Sequence, residues 1–130
     1  MAKSTVPTSL TPYEQTLLGG WEDVAKRSDV TLWILLALKA GPKIMADIKQ
    51  FMLTATHGLL DADDKSMYRA LRRFAGADIV THTTLANPSG PDHKLYALTQ
   101  TGSHVLAAYV ERNIVATYFD PQVKKLLDLA

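Results

Sequence analysis

The residues best suited to chemistry lie in one short stretch, Asp64 to Ala75, which reads DKSMYRALRRFA. Four cations, Lys65, Arg69, Arg72 and Arg73, stand beside the hydroxyls of Ser66 and Tyr68. A guanidinium offers paired donors that match guanine O6 and N7 or the oxygens of a phosphate. On a helix each residue advances ~100° around the axis. Met67, Ala70, Leu71 and Phe74 then gather on one apolar side, and the six polar residues cover the opposite arc. One face can be buried. The other suits the major groove of a duplex, which admits a helix and presents acceptors to Arg and Lys. The same pattern describes an ordinary surface helix with a basic outer face. The neighbouring elements decide between the two.

Other chemistry finds little support. The chain has no G-x-S-x-G, no phosphate-binding glycine loop and no cysteine, so no enzyme is expected, and no cofactor. The histidines, His57, His82, His93 and His104, are scattered without the i, i+4 spacing of a helical metal site, and no metal is expected. His82 and His93 fall on facing strands of the hairpin described below. Asp61, Asp63 and Asp64 read as a loop and a helix cap rather than as a metal cluster.

The chain has 130 residues, enough for one compact domain with one or two helices outside its core. It is 47% hydrophobic and 21% charged, a globular balance. The absence of cysteine excludes disulfides and thiolate zinc sites and fits a reducing compartment. The longest apolar run, Leu32 to Leu38, is too short to cross a bilayer, and MAKSTVPTSL lacks the apolar core of a signal peptide. A cytoplasmic protein with no membrane partner is expected. The net charge of +1 argues against non-specific coating of nucleic acid. Any DNA binding must come from a local basic patch, doubled by dimerisation.

The elements that would position the basic stretch follow in order. Residues 1 to 10 read as extended or disordered. Thr11-Pro12-Tyr13-Glu14 forms a capping box with proline at the first helical position. The helix it opens should run to about Lys26, with an apolar stripe of Tyr13, Leu17, Trp21 and Val24. Ser28 caps a second helix, Asp29 to Lys39, apolar nearly all round and closed by Gly41-Pro42. Ile44 to Ala55 forms a third. Asp63 then caps the basic helix, which ends near Gly76. The period changes at Ile79 to Leu85, a β-branched strand; residues 86–92 are dense in turn formers, and His93 to Leu98 returns as a second strand. Thr99 caps a long helix from about Gln100 to residue 119, and Asp120-Pro121 breaks it and starts a short last helix.

Three helices followed by a two-stranded hairpin is the winged-helix order. The third core helix reads DNA and the hairpin is the wing. The expected fold is mainly α (α+β): a winged helix-turn-helix with a two-stranded wing, an extra N-terminal helix and a long C-terminal dimerisation helix. Its parts are an N-terminal extension and helix (1–28), the winged-helix domain (29–98) and the C-terminal helices (99–130). The outer helices carry aromatic stripes that one small domain would struggle to bury, so a twofold homodimer is expected, with two readers on a palindromic site.

The sequence resembles the PadR family of transcriptional regulators. The resemblance rests on four segments across about residues 30 to 107: Leu32-Trp33-Ile34-Leu35-Leu36-Ala37-Leu38 with Gly41-Pro42; Met67-Tyr68-Arg69-Ala70-Leu71-Arg72-Arg73-Phe74; Ile79-Val80; and Lys94-Leu95-Tyr96-Ala97-Leu98-Thr99-Gln100-Thr101-Gly102. It implies a dimeric winged-helix repressor paired through its C-terminal helix, with DNA contacts near Ser66, Tyr68, Arg69, Arg72 and the wing. In some relatives a small aromatic molecule releases the protein from DNA. Two departures stand out. Asp61, Asp63 and Asp64 crowd the start of the reader helix, where they would repel phosphates unless they cap or face away. Lys43-Ile44-Met45-Ala46-Asp47 replaces the family's aromatic-acidic pair after Gly-Pro.

The expected DNA-binding residues are therefore Lys43, Lys65, Ser66, Tyr68, Arg69, Arg72, Arg73, His93 and Lys94. Each has a plainer alternative in solvated surface, and Tyr68 in packing on the wing. An effector pocket would draw on Trp21, Trp33 and Met52, with Met45 nearby; the plainer reading makes Trp33 core and Trp21 dimer packing. The expected function is sequence-specific regulation of transcription, as a repressor acting on double-stranded DNA. The alternative is a winged-helix module that binds another protein through its basic helix.

Overall fold

The computed structural model describes residues 9–129. The expectation for residues 1 to 10 falls almost wholly outside them. The element order is α1 (Pro12–Ala40), α2 (Met45–Ala55), α3 (Asp64–Gly76), β1 (Val80–Leu85), β2 (His93–Leu98), α4 (Gln100–Val110), a π-helical turn (Glu111–Val115), α5 (Ala116–Tyr118) and α6 (Pro121–Leu126). This is the winged-helix order, with helices added at both ends. Residues 25–106 form one compact unit; the described parts of Met1–Val24 and Ala107–Ala130 form another.

The largest correction concerns the N-terminal third. Two helices were expected, with Ser28 as the cap of the second; α1 instead runs unbroken through Arg27, Ser28 and Asp29 for 29 residues. Neither glycine nor proline interrupts it there, and a mid-helix serine costs only about half a kcal/mol. A break would leave several backbone groups unpaired on each side. Thr31 shows the continuity, its hydroxyl donating to the Arg27 carbonyl at 3.3 Å. The start of α1 is as expected. The Glu14 N–H donates to Thr11 Oγ1 at 3.1 Å and the Thr11 N–H to Glu14 Oε1 at 2.8 Å. That bond holds the Glu14 carboxyl below the usual range.

The core of the 25–106 unit lies where α1, α2 and α3 meet the base of the hairpin. Ile34, Ile48, Met52, Met67 and Leu71 are its most enclosed side chains. Each contributes about 1.5–3 kcal/mol by leaving water. The four residues read as the apolar side of the basic helix, Met67, Ala70, Leu71 and Phe74, are all buried. Asp63 caps that helix, its carboxylate accepting from the Ser66 N–H at 2.6 Å. The far end is at Gly76, as expected. The Ile79 N–H returns to the Phe74 carbonyl and the Asp78 N–H to Ala75, with Asp78, not a glycine, at φ 60°. Asp tolerates this left-handed position better than most residues.

β1 and β2 pair antiparallel from Val80↔Leu98 to Leu85↔His93. The strand begins at Val80 rather than Ile79, because the Ile79 N–H returns to the Phe74 carbonyl instead of pairing with Thr99. The Thr99 N–H and hydroxyl each donate to the Ile79 carbonyl at 3.1 Å, and the hydroxyl also reaches the Asp78 carbonyl. Thr99 Oγ1 in turn accepts from the Gly102 N–H at 2.9 Å and caps α4. This joint requires Gly102, since a Cβ there would lie 2.0 Å from the Ile79 oxygen. Lys43 pairs with Tyr96 through both backbone bonds, 3.0 and 2.9 Å, on the edge of β2 away from β1.

Beyond Val110 the expected single helix changes pitch. The Thr117 hydroxyl donates to the Arg112 carbonyl, five residues back, at 2.9 Å. The break at Asp120-Pro121 is as expected, with Asp120 accepting from the N–H groups of Gln122 and Val123.

Candidate nucleic-acid interface

α3 presents its polar arc to solvent. Lys65, Ser66, Tyr68, Arg69, Arg72 and Arg73 are all exposed, while the opposite side is in the core. At ~100° per residue the exposed side chains span about 160° of the helix surface. Among the described residues no carboxylate forms an ion pair with Lys65, Arg69, Arg72 or Arg73. Four guanidinium and ammonium groups are therefore free to meet an anion.

Two of the three acids at the start of α3, Asp63 and Asp64, are engaged by the protein itself. Asp63 caps the helix, and that hydrogen bond is the main reason its carboxyl sits below the usual range; Lys26 and Arg69 act in the same direction. Asp64 is held by Lys49, Nζ to Oδ1 at 2.6 Å. The same bond holds the Lys49 ammonium above its usual range, with Asp61 and Asp63 adding to it. Lys49, Asp61 and Asp64 line an open cavity of about 350 Å³ with Met45 and Leu53. Lys49 thus offsets part of the like-charge repulsion expected at the start of α3, where Asp61 stays exposed. Sequence reasoning missed Lys49, because fifteen residues separate it from Asp64 and no local pattern joins them.

The hairpin packs on α3 through β1 and on α2 through β2. The Tyr96 side chain of β2 is buried at 5% exposure. Burial pushes the phenol above its usual range, the Tyr68 phenol adds to that, and Arg72 opposes it. Lys94, two residues towards the tip, is exposed and unpaired among the described residues. His93 is half-buried and pairs with Leu85. His82 pairs with Tyr96, so the two histidines do not face each other. The loop is organised by Asn87, whose Oδ1 accepts from the Ser89 N–H at 3.1 Å and whose Nδ2 donates to the Pro91 carbonyl at 3.1 Å.

Lys43 stands apart from the other expected contacts. Its ammonium donates to the Ala37 carbonyl at 2.8 Å and the Gly41 carbonyl at 3.3 Å, and lies 5.0 Å from the centre of the Phe51 ring. It satisfies the C-terminal carbonyls of α1. The expected effector residues also differ in setting. Met52 is enclosed in the core at 1% exposure, Trp33 is half-buried on α1, and Trp21 is 75% exposed.

A helical core, a basic third helix and a two-stranded wing define a winged helix-turn-helix. The model of the PadR-like family of transcriptional regulators matches residues 34–108, more than half the chain. The protein belongs to that family, whose members regulate transcription and are not enzymes. No curated protein sequence matches the chain. Among solved structures, a PadR family regulator from Eggerthella lenta superposes with a TM-score of 0.71 at 18% identity, over 92% of this chain and 100% of that one. A PadR-like regulator from Bacillus cereus gives 0.62 at 21% identity, over 79% and 95%. Bacillus subtilis PadR in complex with operator DNA gives 0.58 at 22% identity, over 64% of this chain and 47% of that one. Likenesses at these identities establish the fold. None of the helices among the described residues is long and apolar enough to cross a membrane.

Proposed function

We propose that this protein is a sequence-specific repressor that binds a palindromic operator as a homodimer, with α3 of each subunit in the major groove and the hairpin on the flanking backbone. The observation that carries this reading is the exposed arc of α3, whose cations are unpaired while the nearby acids are held by Ser66 and Lys49. Arg69 and Arg72 read base edges or phosphates, and Lys65, Ser66, Tyr68, Arg73 and Lys94 add backbone contacts. In this reading residues 29–98 form the DNA-reading part, and 1–28 with 99–130 supply the pairing surface. That surface is apolar and open in the single chain: Tyr13, Leu17, Trp21 and Val24 on α1, and Tyr118 and Phe119 beyond α4, are all exposed. A second copy covering them would remove that area from water and place two readers on one duplex.

A small aromatic effector completes the scheme, by favouring a dimer whose readers no longer match the half-site spacing. Trp21, the member of the expected effector set exposed in the single chain, would meet such a ligand at the pairing surface. In this reading the protein acts in the cytoplasm.

Selection of binding sequences from random duplex DNA at physiological salt tests the proposal. Enrichment of an inverted repeat supports a dimeric reader and supplies the operator for an effector screen. A folded dimer that enriches nothing would favour the protein-binding alternative. Trp21→Glu should shift the sedimentation profile towards monomer and weaken operator binding with it.

A further inference from the structure

α2, the start of α3 and the loop between them border a space outside the basic arc. Met45, Lys49, Gln50 and Leu53 of α2 line it together with Asp61 of the loop and Asp64 of α3, as an open cavity of about 350 Å³. That volume lies at the lower end of the range for small-molecule sites. The lining includes none of the exposed apolar residues of the pairing surface and none of the cations of α3.

The lining divides in two. Met45 and Leu53 are half-buried and apolar. The polar part consists mostly of acceptors, with two carboxylates against one ammonium. Lys49 Nζ binds Asp64 Oδ1 at 2.6 Å, while Asp61 makes no hydrogen bond or ion pair among the described residues. Gln50 donates to Thr54 Oγ1 at 3.0 Å and accepts nothing among the described residues. One negative charge and several lone pairs are therefore left unmatched.

Lys49 is itself a model for what would match them. It is an aliphatic chain ending in an ammonium, and a carboxylate of this cavity receives it. The bond to Asp64, with Asp61 and Asp63 adding to it, holds that ammonium above its usual range, so the local field favours a cation. Asp61 is also displayed from an anchored backbone. Leu60 and Ala62, on either side of it, are buried. Thr56 Oγ1 accepts from the Leu60 N–H at 3.0 Å and donates to the Met52 carbonyl at 2.7 Å. A carboxylate held in place in this way costs a ligand less ordering entropy.

We propose that the cavity between α2 and α3 binds a small organic monocation with an apolar body. Its nitrogen donates to Asp61 and to the second oxygen of Asp64, and its body covers Met45 and Leu53. The charge that Lys49 leaves unmatched selects a cation, and the apolar lining selects an organic one over a bare ion. This site is separate from the aromatic effector at Trp21, and it does not depend on DNA binding.

The test is a titration of the isotope-labelled full chain at neutral pH, followed by its backbone amide resonances. The probes are phenethylamine, the isosteric neutral phenethyl alcohol, and methylamine, which keeps the charge and lacks the apolar body. Phenethylamine should move the resonances of residues 45–64 with a dissociation constant of about 1 mM. Phenethyl alcohol and methylamine should each bind about tenfold more weakly. Asp61→Asn, at an exposed position, should lose about tenfold for phenethylamine at an unchanged melting temperature. Asp47→Asn, which removes an exposed carboxylate of α2 outside the cavity, should bind as the parent does. Methylamine binding as tightly as phenethylamine would reduce the site to a counterion cluster and overturn the proposal. So would an alcohol that matches the amine, or an Asp61→Asn variant that matches the parent. A parent whose residues 45–64 show no shift at about 20 mM phenethylamine would overturn it as well.

Discussion

Gly102 offers the sharpest test of the packing that sets the wing, because two lines of reasoning about it predict opposite signs. Gly102 lies in the first turn of α4, and a mid-helix glycine is worse than alanine by about 1 kcal/mol. Helix propensity alone therefore predicts that Gly102→Ala stabilises the protein. In the structure, the new Cβ would stand 2.0 Å from the Ile79 oxygen, 3.0 Å from its carbon and 3.2 Å from its Cγ2. An unstrained carbon-oxygen contact needs about 3.3 Å, so the start of α4 must move by about 1.3 Å. That movement breaks the bonds from the Thr99 N–H and hydroxyl to Ile79, at about 1 kcal/mol each. Residual crowding adds about 1–3 kcal/mol. After subtracting the propensity gain, the net loss is about 2–4 kcal/mol. Urea unfolding followed by circular dichroism measures it as a lower midpoint at constant slope. Gly76→Ala is the control, since a Cβ at Gly76 would meet nothing within 4 Å; it should stabilise by about 0.5–1 kcal/mol. A Gly102→Ala variant as stable as the Gly76→Ala variant would refute the reasoning.

Three further outcomes follow from the same geometry. Arg69→Ala and Arg72→Ala should each weaken duplex binding and reduce the slope of log K against log salt by about 0.9 for every DNA phosphate left unneutralised, with the oligomeric state unchanged. Lys43→Met should cost about 1–2 kcal/mol of stability through the unpaired Ala37 and Gly41 carbonyls; its DNA-binding salt slope should match the parent's, whereas a role in binding phosphate would make the variant's slope shallower. Asp63 is held below its usual pKa by the Ser66 N–H, so its contribution is present above the ordinary aspartate range and lost as pH falls through the folded value. Asp63→Asn, which keeps an acceptor but does not titrate, should therefore flatten the acid limb of a melting-temperature profile below about pH 4.

The sequence by itself determined the local elements and the chemistry of the reader. Met67, Ala70, Leu71 and Phe74 recur at helical spacing, and that period alone separates a buried side from an arc holding Arg69 and Arg72. Thr11 with Glu14, Asp63 and Asp120 are legible as caps because each acts within three residues of itself. The turn formers of 86–92 between two β-rich runs mark the wing for the same reason. Tertiary structure decided what depends on distant partners. Lys43 looked like a free cation, and only the approach of α1's last turn and Phe51 occupies it. The acids before α3 looked repulsive until α2 brought Lys49 to Asp64. Ser28 has the type of a cap, yet with nothing to stop the helix before it, α1 continues. The face of the hairpin that turns to the core is fixed by a register and by the burial of Val80 and Tyr96. A slip of one residue would bring His93 onto the face of His82 and turn Tyr96 and Lys94 to the other side, without changing either strand's composition.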